Sequence, residues 1–82
     1  MFVMYILHSR SKDRYYIGHA ENLNARLIRH NEGRVPSTKG YRPWECLYFE
    51  EFETKLEANR RELEIKKKKS RKYLEFLIQK RE

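Results

Sequence analysis

Residues 15–33, YYIGHAENLNARLIRHNEG, decide how the chain is organised. The stretch begins with the aromatic and β-branched residues that are typical of a strand. Asn22 is placed to cap a helix that runs to about Asn31, and Gly33 stands where a helix-ending glycine is expected. We therefore predict a strand followed directly by a helix. Gly18, within the strand, marks a bulge or a close backbone approach.

The sequence on either side of this stretch supplies the other elements. Residues 2–8 (FVMYILH) are apolar at almost every position, which predicts a strand covered on both faces. Five polar residues then lead into the second strand, as in an antiparallel hairpin. A third strand is predicted over 44–52. Thr54 and Glu57 form a capping box that begins a second helix, and Ser70 can cap a third. The predicted order is β-β-α-β-α-α, an α+β fold.

Composition limits the classes of function. The chain has 82 residues, so we expect one domain over 1–82. Its net charge of +7 favours a polyanionic partner, nucleic acid before an anionic membrane surface. The apolar N-terminal run is too short for a signal peptide or a membrane span, so no membrane association is expected. The single cysteine, Cys46, excludes an internal disulfide and fits a buried thiol in the reducing cytoplasm.

The first helix carries two polar residues beside its apolar stripe. Leu23 and Leu27 lie four residues apart on one face, and Arg26 and His30, also four apart, flank that face. An arginine at this edge can offer forked donors to a phosphate, and a histidine can exchange a proton with a reacting oxygen. Alternatively, Arg26 pairs with a structural carboxylate and His30 stabilises the helix C-terminus.

The second helix places a carboxylate among apolar residues. Ala58, Glu62 and Ile65 share one stripe. A buried carboxylate must be paired, neutralised or bound to a metal. A single inward glutamate suits Mg²⁺ or Mn²⁺, which keep several waters and take few protein ligands. The alternative is an ion pair between Glu62 and Arg26.

Each of the first two predicted strands has a tyrosine near its middle, Tyr5 and Tyr16. The two lie on one face of the sheet only if paired residues have numbers that sum to an odd value. The sequence does not determine this register. Tyrosines in strands are most often simply good strand formers.

Together these segments resemble the GIY-YIG nuclease superfamily. VMY at residues 3–5 and YIG at 16–18 correspond to the paired tripeptides, while 22–33 and 57–66 resemble the family's arginine-bearing and glutamate-bearing helices. The likeness extends over about 2–78 and is closest to small single-domain members related to the nuclease domain of the bacterial excision-repair endonuclease. It implies a three-stranded antiparallel sheet flanked by helices, and hydrolysis of DNA phosphodiester bonds with one divalent ion, Mg²⁺ or Mn²⁺.

The resemblance also implies roles for single residues. Tyr5 would activate or orient the attacking water, and Tyr16 would help to hold water or phosphate. Arg26 would stabilise the charge of the transition state. His30 would carry a proton, and Glu62 would be the protein ligand of the metal. One departure is that no asparagine follows Asn59, whereas many catalytic members carry one beyond the metal glutamate.

Two alternatives to a nuclease stay open: a nucleic-acid-binding module of the same fold without turnover, and an adaptor for an acidic protein. A nuclease requires the tyrosines, Arg26 and Glu62 to converge in one cleft, whereas a binding module would have Glu62 tied up by an arginine or lysine. DNA is expected ahead of RNA, with a partner protein to supply specificity. The predicted nucleic-acid contacts are Gly18, Arg34, Lys39, Arg42, Lys66, Lys68 and Arg71.

Overall fold

The fold is a three-stranded antiparallel sheet with one helix on one face and two on the other. A computed structural model describes residues 1–80. The strands are β1 (Phe2–Ser9), β2 (Arg14–Ala20) and β3 (Trp44–Phe52). The helices are α1 (Leu23–Asn31), α2 (Lys55–Lys68) and α3 (Arg71–Lys80), with a 3₁₀ turn at Lys39–Tyr41. The predicted α+β class and the order β-β-α-β-α-α are confirmed.

The strand β1 lies in the centre of the sheet, in the order β2-β1-β3. Its side chains are buried on both faces, as predicted. Met4 and Ile6 pack with apolar residues of α2 and α3, on what we call the α2/α3 face. Tyr5 and Leu7 pack on the opposite side, against Trp44 and residues of α1, on the α1 face. The central strand therefore holds helices in place on both sides of the sheet.

The register of β1 and β2 decides where the tyrosines point. Leu7 lies opposite Tyr16, and Tyr5 lies opposite Gly18. The paired numbers sum to 23, which is odd, so Tyr5 and Tyr16 share the α1 face. Gly18 pairs in regular register, so the predicted close approach, and not a bulge, is what occurs there. The one irregularity between strands of this sheet lies where β1 pairs with β3, between Ile6 and Leu7.

The helix ends follow the capping signals of the sequence. The side chain of Asn22 accepts a backbone N–H in the first turn of α1. Thr54 and Glu57 form the predicted capping box of α2, and Ser70 accepts a backbone N–H of α3. Gly33 has φ = +78°, the left-handed conformation expected after a helix. These local signals fix where α1 begins and ends.

Two further expectations concern the burial of Cys46 and the presence of a membrane-spanning helix. Cys46 is half-buried on β3, at the margin of the α1-face cluster, and is less enclosed than the buried thiol that we predicted. Within residues 1–80, no helix has the length and apolar character needed to cross a membrane.

Candidate functional site

The centre of the candidate site is a contact between Tyr5 and His30. The Tyr5 hydroxyl lies 3.2 Å from His30 Nε2, and His30 Nδ1 lies 2.8 Å from the Thr38 hydroxyl. His30 is only 1% exposed. The prediction that both polar residues of α1 lie at the edge of its buried face is therefore wrong for His30. That histidine is the one buried residue of this helix.

His30 is buried because the end of α1 is clamped to the start of β3. The side-chain Nδ2 of Asn31 donates to the backbone carbonyl of Trp44 at 3.0 Å. The side-chain Oδ1 of Asn31 accepts the backbone N–H of Trp44 at 2.6 Å. These two bonds hold the last turn of the helix against the sheet. The loop that precedes Trp44 then covers the imidazole, and the helix C-terminus does not use His30 as a charged cap.

Tyr16 completes an aromatic group around the histidine. Its ring lies 5.0 Å from that of His30 and 6.2 Å from that of Trp44, both edge to face. Tyr5 also meets His30 edge to face, at 6.1 Å. The structure thus brings both predicted tyrosines and the predicted histidine together on the α1 face.

Arg26 lies near Tyr5 and His30 of this aromatic group. It is half-buried and, with His19 and Lys55, lines a cleft of about 320 Å³ that we call the β2 cleft. Burial raises the pKa of Tyr5 to about 12, while the charge and hydrogen bonding of Arg26 oppose that rise. The Tyr5 phenol is therefore protonated at neutral pH, and its oxygen is polarised by a neighbouring cation.

Glu62 lies on the α2/α3 face of the sheet, where it contacts His19 of β2. Its side chain is 11% exposed, with Oε1 2.6 Å from His19 Nδ1 and Oε2 2.5 Å from Lys66 Nζ. The alternative of an ion pair with Arg26 is not what the carboxylate forms. Its charge is nevertheless near enough to Tyr5 to raise the pKa of the phenol further. As predicted, Glu62 shares the buried stripe of α2 with Ala58 and Ile65.

His19 is the residue that sequence reasoning missed. It follows Gly18 on β2, so its side chain points to the α2/α3 face, away from Tyr16. It contacts Glu62 and also lines the β2 cleft beside Arg26. Because side chains alternate along a strand, position 19 lies on the opposite face from positions 16 and 18. This alternation was the sequence signal for a polar residue on the α2/α3 face. The partner of His19 lies 43 residues further along the chain.

The oxygen of Glu62 and the imidazole nitrogen of His19 are atoms that can coordinate a hard or borderline divalent cation. One carboxylate oxygen and one imidazole nitrogen lie 2.6 Å apart, and Lys66 supplies the positive charge that the carboxylate requires. Among residues 1–80, no three His, Cys, Asp or Glu side chains form a group that could hold a metal. A cation at Glu62 would therefore take its remaining ligands from water and substrate, as Mg²⁺ and Mn²⁺ commonly do.

Six of the seven predicted nucleic-acid contacts fall into two groups along the chain. Arg34, Lys39 and Arg42 lie in the loop after α1, where Arg42 donates to the Lys39 carbonyl at 2.8 Å. Lys66, Lys68 and Arg71 lie at the junction of α2 and α3. Only Lys66 of these residues contacts one of the predicted catalytic side chains, within the described residues.

Several of these groups already have partners. Lys68 lies 5.2 Å from the centre of the Tyr73 ring, and Arg71 pairs with Asp13 at 2.6 Å. Gly18 is buried, and the space above it is filled by the Tyr5 phenol. The glycine therefore makes room for a catalytic candidate, and its contact with nucleic acid stays a prediction.

The chain is similar to a known protein family and to several bacterial proteins. A family model described as the GIY-YIG catalytic domain matches residues 1–74. The chain belongs to the GIY-YIG family. A UPF0213 protein of Staphylococcus epidermidis is 50% identical to this GIY-YIG chain over 52 residues. A UPF0213 protein of Staphylococcus aureus is 48% identical over 52 residues.

Each of these alignments covers 62% of this chain and 63% of the relative, so less than two thirds of either curated protein is matched. No solved structure matches the GIY-YIG chain.

Proposed function

We propose that this GIY-YIG protein is a metal-dependent endonuclease that hydrolyses phosphodiester bonds of DNA. The observation that supports this most is the position of His19. It lines the β2 cleft together with Arg26, which adjoins Tyr5, and it contacts Glu62. His19 thus joins the Glu62 carboxylate, on the α2/α3 face, to the cleft lined by Arg26, whose guanidinium adjoins the Tyr5 phenol of the α1 face.

The Tyr5 phenol acts as a relay in this proposal. With a pKa of about 12 it holds its proton at neutral pH, so it accepts a proton from water only as it passes its own to His30 Nε2. Burial and the charges of Arg26 and Arg29 lower the pKa of His30, which keeps the ring neutral and able to accept. Water loses a proton, its oxygen bonds to phosphorus, and the bond to the leaving oxygen breaks. The leaving oxygen then takes a proton from solvent, and His30 releases the proton that it received through Tyr5.

Arg26 stabilises the phosphate while this occurs. Its forked donors can bind two non-bridging oxygens, which gain negative charge as the attacking oxygen arrives. The Arg26 side chain is half-buried beside an enclosed phenol, so its charge is less screened than on an open surface. Tyr16, next to His30, supports the aromatic wall of the site.

Glu62 would hold the divalent ion, with His19 beside it. Such an ion supplies a Lewis acid that polarises the phosphate and stabilises the leaving oxygen. Lys66 must release Oε2 when a cation binds, and its half-exposed side chain lets it do so. The freed ammonium then lies at the edge of the site, where it can contact a substrate phosphate.

A second candidate function is a nucleic-acid-binding module without turnover. The observation that favours it is that Lys66 occupies one oxygen of Glu62, as we predicted for such a module. The net charge of +7 would drive this binding without any metal. In that case the contact between Glu62 and Lys66 is permanent, and no cation replaces the ammonium.

Cleavage assays separate the two functions. Supercoiled plasmid, labelled branched and single-stranded DNA, and matching RNA are incubated with Mn²⁺, Mg²⁺ or chelator. The enzymes compared are the wild type, Glu62→Gln, and Glu51→Gln, which makes the same charge change at an exposed position of β3. We expect metal-dependent nicking that only Glu62→Gln abolishes. Salt-sensitive binding without nicking, unchanged in Glu62→Gln, would establish the binding module instead.

A further inference from the structure

Thr38 is a buried residue of the loop between α1 and β3, and its position is strongly fixed. It is 1% exposed. Its N–H donates to the Val35 carbonyl at 3.0 Å, and its own carbonyl accepts the Trp44 indole N–H, also at 3.0 Å. The loop therefore holds the Thr38 hydroxyl at 2.8 Å from His30 Nδ1 with little freedom to move away.

The hydrogen bonds of Thr38 give a direction to this contact. A hydroxyl has one hydrogen, which Thr38 can donate to the Val35 carbonyl at 3.2 Å, a group that can only accept. The hydroxyl oxygen is then left to accept a hydrogen bond from His30 Nδ1. This requires the proton of the neutral imidazole to be on Nδ1.

The other end of the chain of contacts gives the same direction. The Arg26 guanidinium adjoins Tyr5 and can only donate, so it takes no hydrogen from the phenol. The single hydrogen of Tyr5 is available to His30 Nε2, 3.2 Å away. The acceptor-only carbonyl beside Thr38 and the donor-only cation beside Tyr5 both favour the order in which Tyr5 donates to His30 and His30 donates to Thr38.

We propose that Thr38 is a positioning residue that holds His30 in the tautomer with its proton on Nδ1. The lone pair of Nε2 then faces the Tyr5 hydroxyl and is ready to take its proton. In the opposite tautomer Nε2 would present a hydrogen to Tyr5, and the relay could not operate. The catalytic consequence rests on the proposed nuclease function, whereas the tautomer itself does not.

Nuclear magnetic resonance of the folded protein without DNA tests the tautomer directly. The ring nitrogens of protein labelled with ¹⁵N-histidine are observed through their couplings to the ring hydrogens at neutral pH, and His30→Gln identifies the His30 signals. We expect a protonated-type shift for Nδ1 and an unprotonated-type shift for Nε2 in the wild type. The reverse pattern in the wild type would overturn the proposal without any variant.

Substitutions of Thr38 test its role in setting that tautomer. Thr38→Ser keeps the hydroxyl and should keep the wild-type pattern and nicking rate. Thr38→Val keeps the shape and removes the acceptor, so the proton should move towards Nε2 and nicking should fall by about 10²-fold. The Trp44 indole signal reports whether the loop is still folded. A folded Thr38→Val protein with the wild-type tautomer and rate would contradict the proposal.

The outcomes distinguish this inference from the proposed function. If Thr38→Val does not fold, the pattern in the wild type and in Thr38→Ser decides, because both must show the proton on Nδ1. A wild-type protein with that pattern and no nicking fails as a nuclease but retains the assigned tautomer. A protein that nicks DNA with the proton on Nε2 retains the nuclease and loses the role of Thr38.

Discussion

The Tyr5 hydroxyl oxygen lies 2.7 Å from the point that a β-carbon on Gly18 would occupy. The next ring atom, Cζ, lies 2.9 Å from the same point. The phenol is 1% exposed and enclosed by α1, so it cannot move aside freely. Gly18 is therefore required by the packing of the site itself.

We expect Gly18→Ala to displace the Tyr5 ring. Overpacking of this kind should cost about 1–3 kcal/mol of unfolding free energy, and the displaced hydroxyl should lower nicking by about 10²-fold. Urea denaturation and plasmid nicking measure the two effects. Gly40→Ala is the matched control, since a β-carbon there meets nothing within 4 Å. Equal behaviour of the two variants would show that the space above Gly18 is not critical.

Removal of the Lys66 ammonium should strengthen metal binding at Glu62. In the wild type, Lys66 Nζ lies 2.5 Å from Glu62 Oε2, so a cation that binds this oxygen must displace the ammonium. Lys66→Met removes that competition. A partly exposed ion pair contributes up to about 1 kcal/mol, so Mn²⁺ affinity should rise by up to about fivefold. Titration followed by the electron paramagnetic resonance of free Mn²⁺ measures this without any cleavage.

The control for that titration is Lys67→Met, which removes the same charge from an exposed neighbour on α2. Any gain common to both variants reflects the lower net charge. If only the common gain is seen, Lys66 does not compete with the cation and Glu62 is not its ligand.

The burial of His30 should make the fold sensitive to mild acid. Burial, Arg26 and Arg29 lower its pKa from the ordinary 6.5, so the unfolded chain binds a proton there more readily than the folded protein. Stability should therefore be intact above pH 6.5 and fall as the pH drops below it. Urea midpoints between neutral pH and about pH 5 test this. His30→Gln should show a flatter dependence, and an identical slope would contradict the expectation.

Arg61 should contribute to stability without contributing to cleavage. Its guanidinium bonds Glu50 at 2.9 Å and Glu64 at 2.5 Å, and it fastens α2 to β3 away from the β2 cleft. Burial raises the pKa of Glu50, but Arg61 and Tyr48 outweigh it and lower the value overall. Arg61→Met should cost about 1–2 kcal/mol in thermal or urea unfolding. At temperatures where the variant is folded, its nicking rate should equal that of the wild type.

The parts of the fold that the sequence predicted well are those set by neighbouring residues. The capping box of Thr54 and Glu57 needs only a helix that starts between them, and the end of α1 at Gly33 needs only a residue that tolerates positive φ. The apolar run of β1 predicted a strand covered on both faces, and that strand is the central one of the sheet. The resemblance to the family agrees with the matched family model.

The parts that were missed depend on distant partners. His19 acquires a role only because α2 brings Glu62 to it from 43 residues away. Thr38 lies in a loop rich in proline and glycine and was not predicted as a site residue. Its contact with His30 depends on the rotation of α1, which the hydrogen bonds between Asn31 and Trp44 set. Hydrophobic periodicity places a residue on one side of a helix but does not specify the contacts that rotate the helix on its sheet.

The edge position of β2 links the site to local unfolding. This strand pairs with β1 on one side only, while its residues adjoin Tyr5 through Gly18 and Glu62 through His19. A transient opening of the edge strand would separate these groups while the core around β1 stays folded. Amide hydrogen exchange along β2 therefore measures how often the site is intact, and warming should inactivate the protein before it melts.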